Sequence, residues 1–479
     1  MPGLKGLFTW KKRAQITPSR TRAKLLKYIY MTDTICAVST GTASAAVAII
    51  RISGPQAQDI LNRVVSHARA WEPRQQTFCT LLDGKNVLDK ALVTYFRAPH
   101  SFTGEDVVEL AIHGSPYVKG RLLELLCAYG ARPARRGEFS QRAFMHGKMD
   151  LVEAQAVCDL IAAGNQAAHR LAINTLDGKL SARLTQMKTT LAELLAQIEV
   201  RLDDVDEEMQ PLGESFITQQ LEGVLAHIKA LADTFSVGRL IKDGLKVALV
   251  GVPNSGKSSL LNALVGFDRA IVSEQSGTTR DTVEETLEVD GQKIVLTDTA
   301  GIRDHAVDVA EQEGMHRTVR AMEKADVIVW VTDGSLGVSE AEQKLWQQIK
   351  EQHKRTLIVR NKTDKMIVPL DLPADAQGLT ILDVSCKTGQ GVQNLKKALV
   401  KDMDAAQQSE GILISNLRHY ESLLRAQTDL EEALLQVNAG GEFLAEHIRK
   451  ALFYLQDLLG EVTPDDVLGI IFSKFCMGK

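Results

Sequence analysis

Apolar residues recur along the chain with two different spacings, and the change between them marks a first domain boundary. Residues 35–52 are rich in small and β-branched side chains around a Ser-Thr-Gly turn, a pattern that predicts strands. Further short strand patterns and a helical stretch near residues 119–129 follow before residue 148. An α+β module is therefore predicted for residues 31–148.

From about residue 151 the apolar spacing becomes helical. Eight residues recur at three- and four-residue steps, as on one buried helix face: Leu180, Leu184, Met187, Leu191, Leu194, Leu195, Ile198 and Leu202. An acidic run, residues 203–208, ends this helix, and another is predicted over residues 216–235. Two further sets with helical spacing follow residue 403. They are Leu417, Tyr420 and Leu424, then Ile448, Leu452, Leu455 and Leu459. Because helices flank a different middle segment, a domain inserted into a helical bundle is predicted.

The composition of the 479 residues is that of a globular chain of roughly three domains, at about 150 residues each. Apolar residues make up 44% and charged residues 24%. The longest apolar runs, residues 45–50 and 327–331, are too short to cross a bilayer, so no membrane association is predicted. The six cysteines form no CxxC pair, which argues against a zinc knuckle or disulfide framework and for a reducing compartment.

Basic residues are concentrated at the start of the chain. Residues 1–30 carry eight of the 56 Lys and Arg and no acidic residue, which leaves 48 basic against 60 acidic residues, a net charge of −12. Bulk charge therefore does not support nonspecific nucleic-acid binding. This leader is expected to be disordered, and it is either an organellar transit segment or a stretch upstream of a natural start at Met31. The expected location is cytoplasmic, or mitochondrial under the transit interpretation.

The middle segment carries the candidate chemistry. An apolar strand over residues 246–250 is followed by GVPNSGKS, residues 251–258, and then by a helix. Backbone N–H groups of such a loop wrap phosphate oxygens, the Lys257 ammonium reaches the β- and γ-phosphates, and the Ser258 hydroxyl ligates magnesium. This strand–loop–helix order predicts binding of a nucleoside triphosphate.

Base identity follows from two later segments. Asn361-Lys362-Thr363-Asp364 follows a strand, and the Asp364 carboxylate matches the N1–H and 2-amino groups of guanine, whereas adenine offers no such pair of donors. A buried carboxylate left unpaired discriminates by roughly 10⁴-fold. Residues 385–387, Ser-Cys-Lys, are placed to present backbone N–H groups to guanine O6. The predicted ligand is GTP.

Two segments between these motifs are candidates for the hydrolytic step. Residues 298–301, DTAG, end a strand, where Asp298 can hold magnesium through water and the Gly301 amide can meet the γ-phosphate. In GTTRD, residues 277–281, Thr279 is expected to reach magnesium only when GTP holds the loop.

Ras-like proteins carry a Gln directly after DTAG that orients the attacking water. This chain has Ile302 there, which can neither donate nor accept a hydrogen bond, so another residue must orient the water. Glu311 is the candidate that orients this water. An assisting positive charge comes either from an arginine, with Arg280 and Arg303 nearest, or from a monovalent cation held by Asn254 and backbone carbonyls of residues 273–278.

Three further motifs join these: SFTGED at residues 101–106, RGEFS at 136–140 and FCMGK at 475–479. With them, residues 33–479 resemble the MnmE (TrmE) family of tRNA modification GTPases. The resemblance implies a multidomain α+β and α/β fold: an N-terminal folate-binding α+β domain, a helical bundle domain and an inserted Ras-like P-loop GTPase domain of TrmE type.

The expected domain boundaries follow from this architecture. Residues 31–148 would form the tetrahydrofolate-binding and dimerisation domain. The helical domain would combine residues 149–242 and 404–479, and the GTPase domain would be residues 243–403.

The resemblance also implies a function and partners. Members form homodimers, assemble with the FAD-binding protein MnmG into a heterotetramer, and add a carboxymethylaminomethyl or aminomethyl group to C5 of the wobble uridine of certain tRNAs. The one-carbon unit comes from 5-formyltetrahydrofolate or a related derivative, and potassium and GTPase-domain dimerisation stimulate hydrolysis. The alternative function is a GTP-dependent RNA-binding assembly factor that takes no part in base chemistry.

Site residues carried over from the family fall into four groups. Folate contacts are expected from Arg51, Glu109, Lys148 and Lys479, with Cys476 as a functional thiol nearby. Ser258 and Thr279 would ligate magnesium, and Asn254, Ser273, Gln275 and Thr278 potassium. Glu311, Lys257 and Thr279 would be catalytic. The GTP-binding set is Asn254, Ser255, Gly256, Lys257, Ser258, Ser259, Ser273, Gly277, Thr278, Thr279, Asp298, Thr299, Ala300, Gly301, Asn361, Lys362, Asp364, Ser385, Cys386 and Lys387.

Overall fold

The computed structural model describes residues 33–41, 43–202, 212–266, 283–298, 318–365, 367–369, 372–407, 411–438, 441–476 and 478. The chain divides into two compact units. The first contains the chain up to Ala154 together with Val462–Lys479, and the second is Gln155–Glu461. No helix within the described ranges is long and apolar enough to span a bilayer.

Both units contain strands and helices. In chain order the strands are β1 (Thr34–Val38), β2 (Ala45–Ser53), β3 (Gln76–Asp83), β4 (Asn86–Phe96), β5 (Val107–Gly114), β6 (Ala131–Pro133), β7 (Leu245–Val250), β8 (Val283–Val289), β9 (Gln292–Asp298), β10 (Val327–Asp333), β11 (Arg355–Asn361) and β12 (Thr380–Asp383). The helices are α1 (Ala57–Val64), α2 (Pro116–Ala128), α3 (Glu138–Met145), α4 (Leu151–Ala162), α5 (Gln166–Leu176), α6 (Lys179–Leu202), α7 (Glu214–Asp233), α8 (Phe235–Asp243), α9 (Lys257–Val265), α10 (Glu340–Glu351), α11 (Val392–Gln407), α12 (Leu417–Leu435), α13 (Gly441–Leu459) and α14 (Asp465–Ser473).

A six-stranded sheet, ordered β3-β4-β5-β2-β1-β6, forms the centre of the first unit. Its neighbouring strands are antiparallel except for the parallel pair β1 and β6. In β2, Ala48, Ile50 and Ile52 face the core, and Arg51 between them lies on the other face. Apolar residues of α1 and α2 complete the core on one side of the sheet, among them Ile60, Leu61, Leu122 and Leu126.

Four long helices, α6, α7, α12 and α13, pack against one another as a bundle in the second unit. Seven of the eight apolar residues predicted on one face of α6 are buried, but Leu202 at its end is 43% exposed. The apolar spacing predicted α12 correctly as a helix. The apolar residues that define this spacing do not, however, lie on the buried face of the helix. Leu417 and Leu424 are 57% and 37% exposed, while His419 and Ser422 are buried.

The second unit also contains a sheet ordered β12-β11-β10-β7-β9-β8, parallel except for β8. Strand β7 is buried on both faces, as expected for a parallel strand covered by helices. Val247 and Leu249 join an apolar cluster with α9 and α11, and Ala248 and Val250 join one with α10. The α+β, helical-bundle and parallel α/β components of the predicted fold class are thus confirmed.

The order of these strands reverses beside β7, which lies between β9 and β10. In open α/β sheets, ligands bind outside the carboxyl ends of the strands at such a point. The loop that follows β7 is therefore where the fold itself places a binding crevice.

Candidate functional site

The loop after β7 has a backbone conformation that few residue types adopt. Gly256, at φ +97°, immediately precedes α9, and a Cβ atom there would lie 2.1 Å from Asn361 Nδ2. Asn254 also has a positive φ, +65°, which asparagine tolerates better than most residues. The loop ends at the N-terminus of α9, where backbone N–H groups point outward and favour an anion.

The Lys257 side chain lies back across this loop. Its Nζ donates hydrogen bonds to the carbonyl oxygens of Gly251 at 2.8 Å and Val252 at 3.0 Å. Ser258 and Ser259 are exposed in the first turn of α9. A phosphate held by the loop would offer Lys257 a charged acceptor in place of these carbonyl oxygens.

The segment after β11 is tied to the phosphate loop by two side chains. Asn361 Nδ2 donates to Ser255 O at 3.0 Å, and Lys362 Nζ donates to Asn254 O at 2.7 Å. Asn361 Oδ1 accepts a hydrogen bond from Cys386 N at 3.4 Å. The loops that follow β7, β11 and β12 thus meet at one edge of the sheet.

Asp364 presents an ionised carboxylate at this edge. Ser385 Oγ donates to Asp364 Oδ1 at 2.8 Å, and this hydrogen bond lowers the pKa of Asp364, with a smaller contribution from the Lys387 charge. Burial raises the pKa of the neighbouring Cys386 to about 11, so that thiol stays protonated. An acceptor carboxylate beside the backbone N–H groups of a loop is the pattern that complements the edge of guanine.

Several predicted nucleotide residues lie outside the described residues: Ser273, Gln275, Gly277, Thr278, Thr279, Thr299, Ala300, Gly301 and Glu311. Asp298 is the last residue of β9, in register with Leu249 of β7. This register brings the carboxyl end of β9 next to the start of the phosphate loop.

A second cluster of candidate residues lies on the sheet of the first unit, where Arg51 of β2 is in register with Glu109 of β5. Arg51 Nε and Nη2 donate to Glu109 Oε1 at 3.0 and 2.7 Å. The Arg51 guanidinium carbon lies 5.2 Å from the ring centroid of Phe102 and 5.6 Å from that of Phe139. Arg51 Nη1 is buried without a hydrogen-bond partner among the described residues. Such a donor suits a ligand that carries a carboxylate or carbonyl oxygen.

The loop that carries Phe102 is anchored by buried charges. Glu105 in this loop accepts a hydrogen bond from Arg142 Nη1 at 3.0 Å. Gly104 has φ +79°, and a Cβ atom there would lie 3.3 Å from Lys148 Cε. Lys148 therefore lies beside the same loop as Phe102.

The helix that carries Phe139 is anchored in a similar way. Glu138, which begins α3, accepts hydrogen bonds from Arg132 Nη1 at 2.9 Å and from Arg135 N at 2.8 Å. Burial raises the pKa of Glu138, but these hydrogen bonds and charges outweigh it and lower the pKa to about 2. Phe139 thus follows a carboxylate that is ionised and fixed at neutral pH.

The end of the chain packs within the first unit. Ser39 Oγ donates to Gly478 O at 3.3 Å, and Gly137 N donates to Cys476 O at 3.3 Å. Cys476 is exposed and lies next to the residue that precedes α3. Lys479 lies outside the described residues.

Three residues that contact these sites were not singled out by sequence reasoning. Phe102 and Phe139 lie within the SFTGED and RGEFS motifs, but an aromatic residue in a motif gives no sign of the cation that it contacts. Asp333 ends β10 as Asp298 ends β9, and this position at a strand end is the signal that could have identified it.

A phosphate loop at the end of a parallel strand, joined to a carboxylate that complements guanine, defines the class of this protein: it is a P-loop GTPase, an enzyme that hydrolyses GTP. Comparison with known families narrows the class. Residues 34–148 match the family described as "GTP-binding protein TrmE N-terminus", and residues 151–476 match "MnmE helical domain". The chain belongs to the MnmE (TrmE) family of tRNA modification GTPases, which confirms the resemblance seen in the sequence.

Relatives match along nearly the whole chain. The "tRNA modification GTPase MnmE" of Aquifex aeolicus (strain VF5) is 38% identical over 457 residues, 94% of this chain and 100% of that protein. The protein of the same name from Akkermansia muciniphila is 39% identical over 461 residues, again 94% and 100%. Among solved structures, the G domain of the T. maritima FeoB iron transporter aligns with 28% identity and a TM-score of 0.26, covering 33% of this chain and 97% of that one.

Proposed function

We propose that this GTPase, together with an FAD-binding partner of the MnmG type, adds a carboxymethylaminomethyl or aminomethyl group to C5 of the wobble uridine of certain tRNAs. The observation that carries the proposal is a second candidate site in the same chain, the Arg51–Glu109 pair with its unpartnered Nη1 atom. An assembly factor that only moves a partner has no use for such a site. GTP hydrolysis drives the domain rearrangement that accompanies modification.

Five segments of the chain contribute to the nucleotide site. Lys257 compensates charge on the β- and γ-phosphates, and Asp364 with residues 385–387 selects guanine. In the GTP state the γ-phosphate would hold the loop so that Thr279 reaches magnesium, and Glu311 would orient the attacking water, directly or through a second water.

Two ions are expected at this site. Magnesium, which compensates phosphate charge when bound, would be held by Ser258, an exposed hydroxyl in the first turn of α9, and by Thr279. Asn254 is exposed in the phosphate loop while Lys362 fixes its backbone carbonyl, so its amide oxygen suits a monovalent cation. Potassium there would add positive charge and accelerate hydrolysis, with Ser273, Gln275 and Thr278 as further ligands.

The first unit is the proposed folate site, where 5-formyltetrahydrofolate or a related derivative supplies the one-carbon unit when bound. Arg51 Nη1 would meet a carbonyl or carboxylate oxygen, and Glu109 would accept from the pterin amino and ring N–H groups. Lys148 and Lys479 suit the glutamyl carboxylates. Cys476 would lie near this pocket as a functional thiol.

A homodimer is proposed to form through the open face of the first sheet. Phe78 of β3 and Leu92 of β4 are cross-strand partners on this face and are 64% and 40% exposed. Thr94, two residues after Leu92, is in register with Glu109, which is in turn in register with Arg51. This exposed apolar pair suits a second copy of the chain, which would cover Phe78 and Leu92 and leave the Arg51–Glu109 pair open to its ligand.

The domain assignment follows the same proposal. Residues 31–148 bind folate and dimerise, residues 149–242 and 404–479 form the helical domain, and residues 243–403 form the GTPase domain, which associates across the dimer in the GTP state. The assembly with the MnmG-type partner and tRNA works in the cytoplasm.

Folate binding by the full-length chain tests the proposal. Isothermal titration with 5-formyltetrahydrofolate should show binding by the wild type and a loss of about tenfold or more in affinity for Glu109→Gln, because the negative charge is lost and one acceptor oxygen becomes an NH2 donor. GTP hydrolysis in the second unit should stay unchanged. Glu124→Gln, in an exposed ion pair of the same unit, is the matched control and should bind like the wild type.

A deletion strain provides the complementary measurement. Its tRNA nucleosides should lack the C5 modification of the wobble uridine. Unchanged nucleosides, together with no folate binding by the wild-type chain, would favour the assembly-factor alternative.

A further inference from the structure

A carboxylate at the end of β10, that of Asp333, contacts Lys362 in the guanine-selecting segment. Asp333 Oδ2 accepts a hydrogen bond from Lys362 Nζ at 2.6 Å, and Asp333 Oδ1 accepts from Ser335 N at 3.0 Å and Ser335 Oγ at 2.7 Å. Burial raises the pKa of Asp333, but the hydrogen bonds from Lys362 and Ser335 outweigh it, so the pKa lies below its usual value. Asp333 is therefore an ionised and largely buried partner of Lys362.

Lys362 joins Asp333 to the phosphate loop. The same Nζ atom that donates to Asp333 donates to Asn254 O at 2.7 Å. Lys362 is in the left-handed region, at φ +64°, as is Asn254 at φ +65°. One ammonium group thus bridges the end of β10 and a strained position of the phosphate loop.

A second link runs parallel to the first. Gly334 N donates to Asn361 O at 2.7 Å, and Asn361 Nδ2 donates to Ser255 O at 3.0 Å. A Cβ atom on Gly334 would lie 2.8 Å from Asn361 O, so the turn after β10 sits directly against the guanine-selecting segment. The separation between the loop for the phosphates and the loop for the base is set by these two links.

We propose that Asp333 is a positioning residue for guanine nucleotide binding: its carboxylate holds Lys362 in the orientation that fixes the phosphate loop relative to the base loop. The inference rests on the proposed assignment of these two loops to the phosphates and to guanine. Asp333 itself touches neither the nucleotide nor the reacting atoms.

The physical reason is pre-organisation. A lysine side chain has four rotatable bonds and loses much conformational freedom when it is held in one geometry. The charge of Asp333 restricts Lys362 before the nucleotide arrives, so less ordering remains for the binding step. Without that charge the two loops vary in separation, and a rigid ligand that must contact both dissociates faster.

Asp333→Asn isolates this effect. Asparagine keeps the size of the side chain and an acceptor oxygen for Ser335, and it removes only the charge that faces Lys362. Stopped-flow measurement on the full-length chain with a fluorescent GDP analogue should show dissociation about tenfold faster, and the KM for GTP should rise by a similar factor. The kcat at saturating GTP should stay within about twofold, because bound GTP contacts both loops and itself holds them at the spacing that Asp333 no longer sets.

Two further variants separate a positioning role from a structural one. Asp383→Asn is the matched control, since Asp383 pairs with Arg360 on the neighbouring strands at 2.6 and 2.8 Å, and its nucleotide kinetics should match the wild type. Lys362→Met should speed GDP dissociation, and adding Asp333→Asn to it should have no further effect, because the partner is already gone.

Three results would overturn the inference. The first is GDP dissociation from Asp333→Asn at the wild-type rate, and the second is an equal effect of Asp333→Asn on GDP dissociation when Lys362 is already Met. The third is a fall in kcat that parallels a lower melting temperature. A wild-type chain that binds the GDP analogue no better than an adenine analogue would instead contradict the proposed base site, which keeps the two failures distinct.

Discussion

At the scale of single residues, the second unit contains a histidine that its surroundings keep neutral. His419 of α12 is buried, and its Nε2 lies 2.7 Å from Gln155 Oε1. Burial, together with the smaller effects of the Arg418 and Lys242 charges, lowers the pKa of His419 to about 3. A neutral imidazole at this position therefore belongs to the folded bundle at every pH near neutrality.

We expect the helical bundle to lose stability as the pH falls below 6.5. The folded-state pKa of His419 lies below the unfolded value of about 6.5, so the unfolded chain binds a proton that the folded chain excludes. Between pH 7.5 and 5 this lowers the free energy of unfolding by about 2 kcal/mol. Hydrogen exchange in α12 of the full-length chain measures the effect. His419→Gln should remove most of the pH dependence, and an unchanged slope in that variant would contradict the assignment to His419.

At the scale of elements, β9 begins with a polar residue inside an apolar cluster. Gln292 is fully buried, as are Ile294 and Leu296 at alternate positions of the strand. Neither Oε1 nor Nε2 of Gln292 has a hydrogen-bond partner among the described residues. A buried amide without partners costs free energy that an apolar side chain of similar shape does not.

Gln292→Met should therefore stabilise the second unit by about 1–3 kcal/mol. Methionine fills nearly the same volume and removes both polar groups. Urea unfolding of the full-length chain, followed by hydrogen exchange in β9, gives the change in free energy. Gln347→Met, at an exposed position of α10, is the control and should change stability by less than about 0.5 kcal/mol. A destabilised Gln292→Met variant would show that the amide makes a favourable interaction.

Helices also show how far a pattern of apolar residues reaches. In α6 the predicted apolar face is the buried face, because no second apolar stripe runs along the other side of the helix. In α12 the buried face instead combines two other leucines with small and polar residues: Leu423, Leu430, His419, Ser422, Ala426 and Ala433. Leu417 and Leu424 lie outside that contact. Spacing alone predicts a helix, but the neighbouring helices decide which face they cover.

At the scale of the whole molecule, the proposed homodimer predicts that a charge on the exposed apolar surface of the first sheet prevents dimerisation. Phe78→Glu places a charge in the exposed apolar pair that Phe78 forms with Leu92, and a second copy could cover it only by burying an unpaired carboxylate. Sedimentation of the full-length chain should therefore shift from dimer to monomer. Tyr117→Glu, at an exposed position on α2, which packs on the other face of the sheet, is the control and should remain dimeric. A dimeric Phe78→Glu variant would place the interface elsewhere.

The nucleotide loops are what the sequence determined most fully about this protein. Each loop is a short run that follows a strand: Gly256 permits the turn before α9, and Asp364 lies three residues after the end of β11. Such geometry is local, so the residues and their order along the chain suffice to predict a GTP-binding P-loop enzyme. The family resemblance added the N-terminal residues Arg51 and Glu109 and the expectation of folate.

Only the tertiary structure decided which distant residues meet. The register of β2 with β5 makes Arg51 and Glu109 an ion pair and leaves Nη1 for a ligand. The parallel order of β7, β10 and β11 brings Asn254 and Asp333 within hydrogen-bond distance of the same Lys362 ammonium group. Residues about 30 to 110 positions apart meet through strand pairing and crossovers, and a linear pattern carries no information on register. The sequence determines the chemistry of each group, whereas strand pairing in the sheet determines which partner that group contacts.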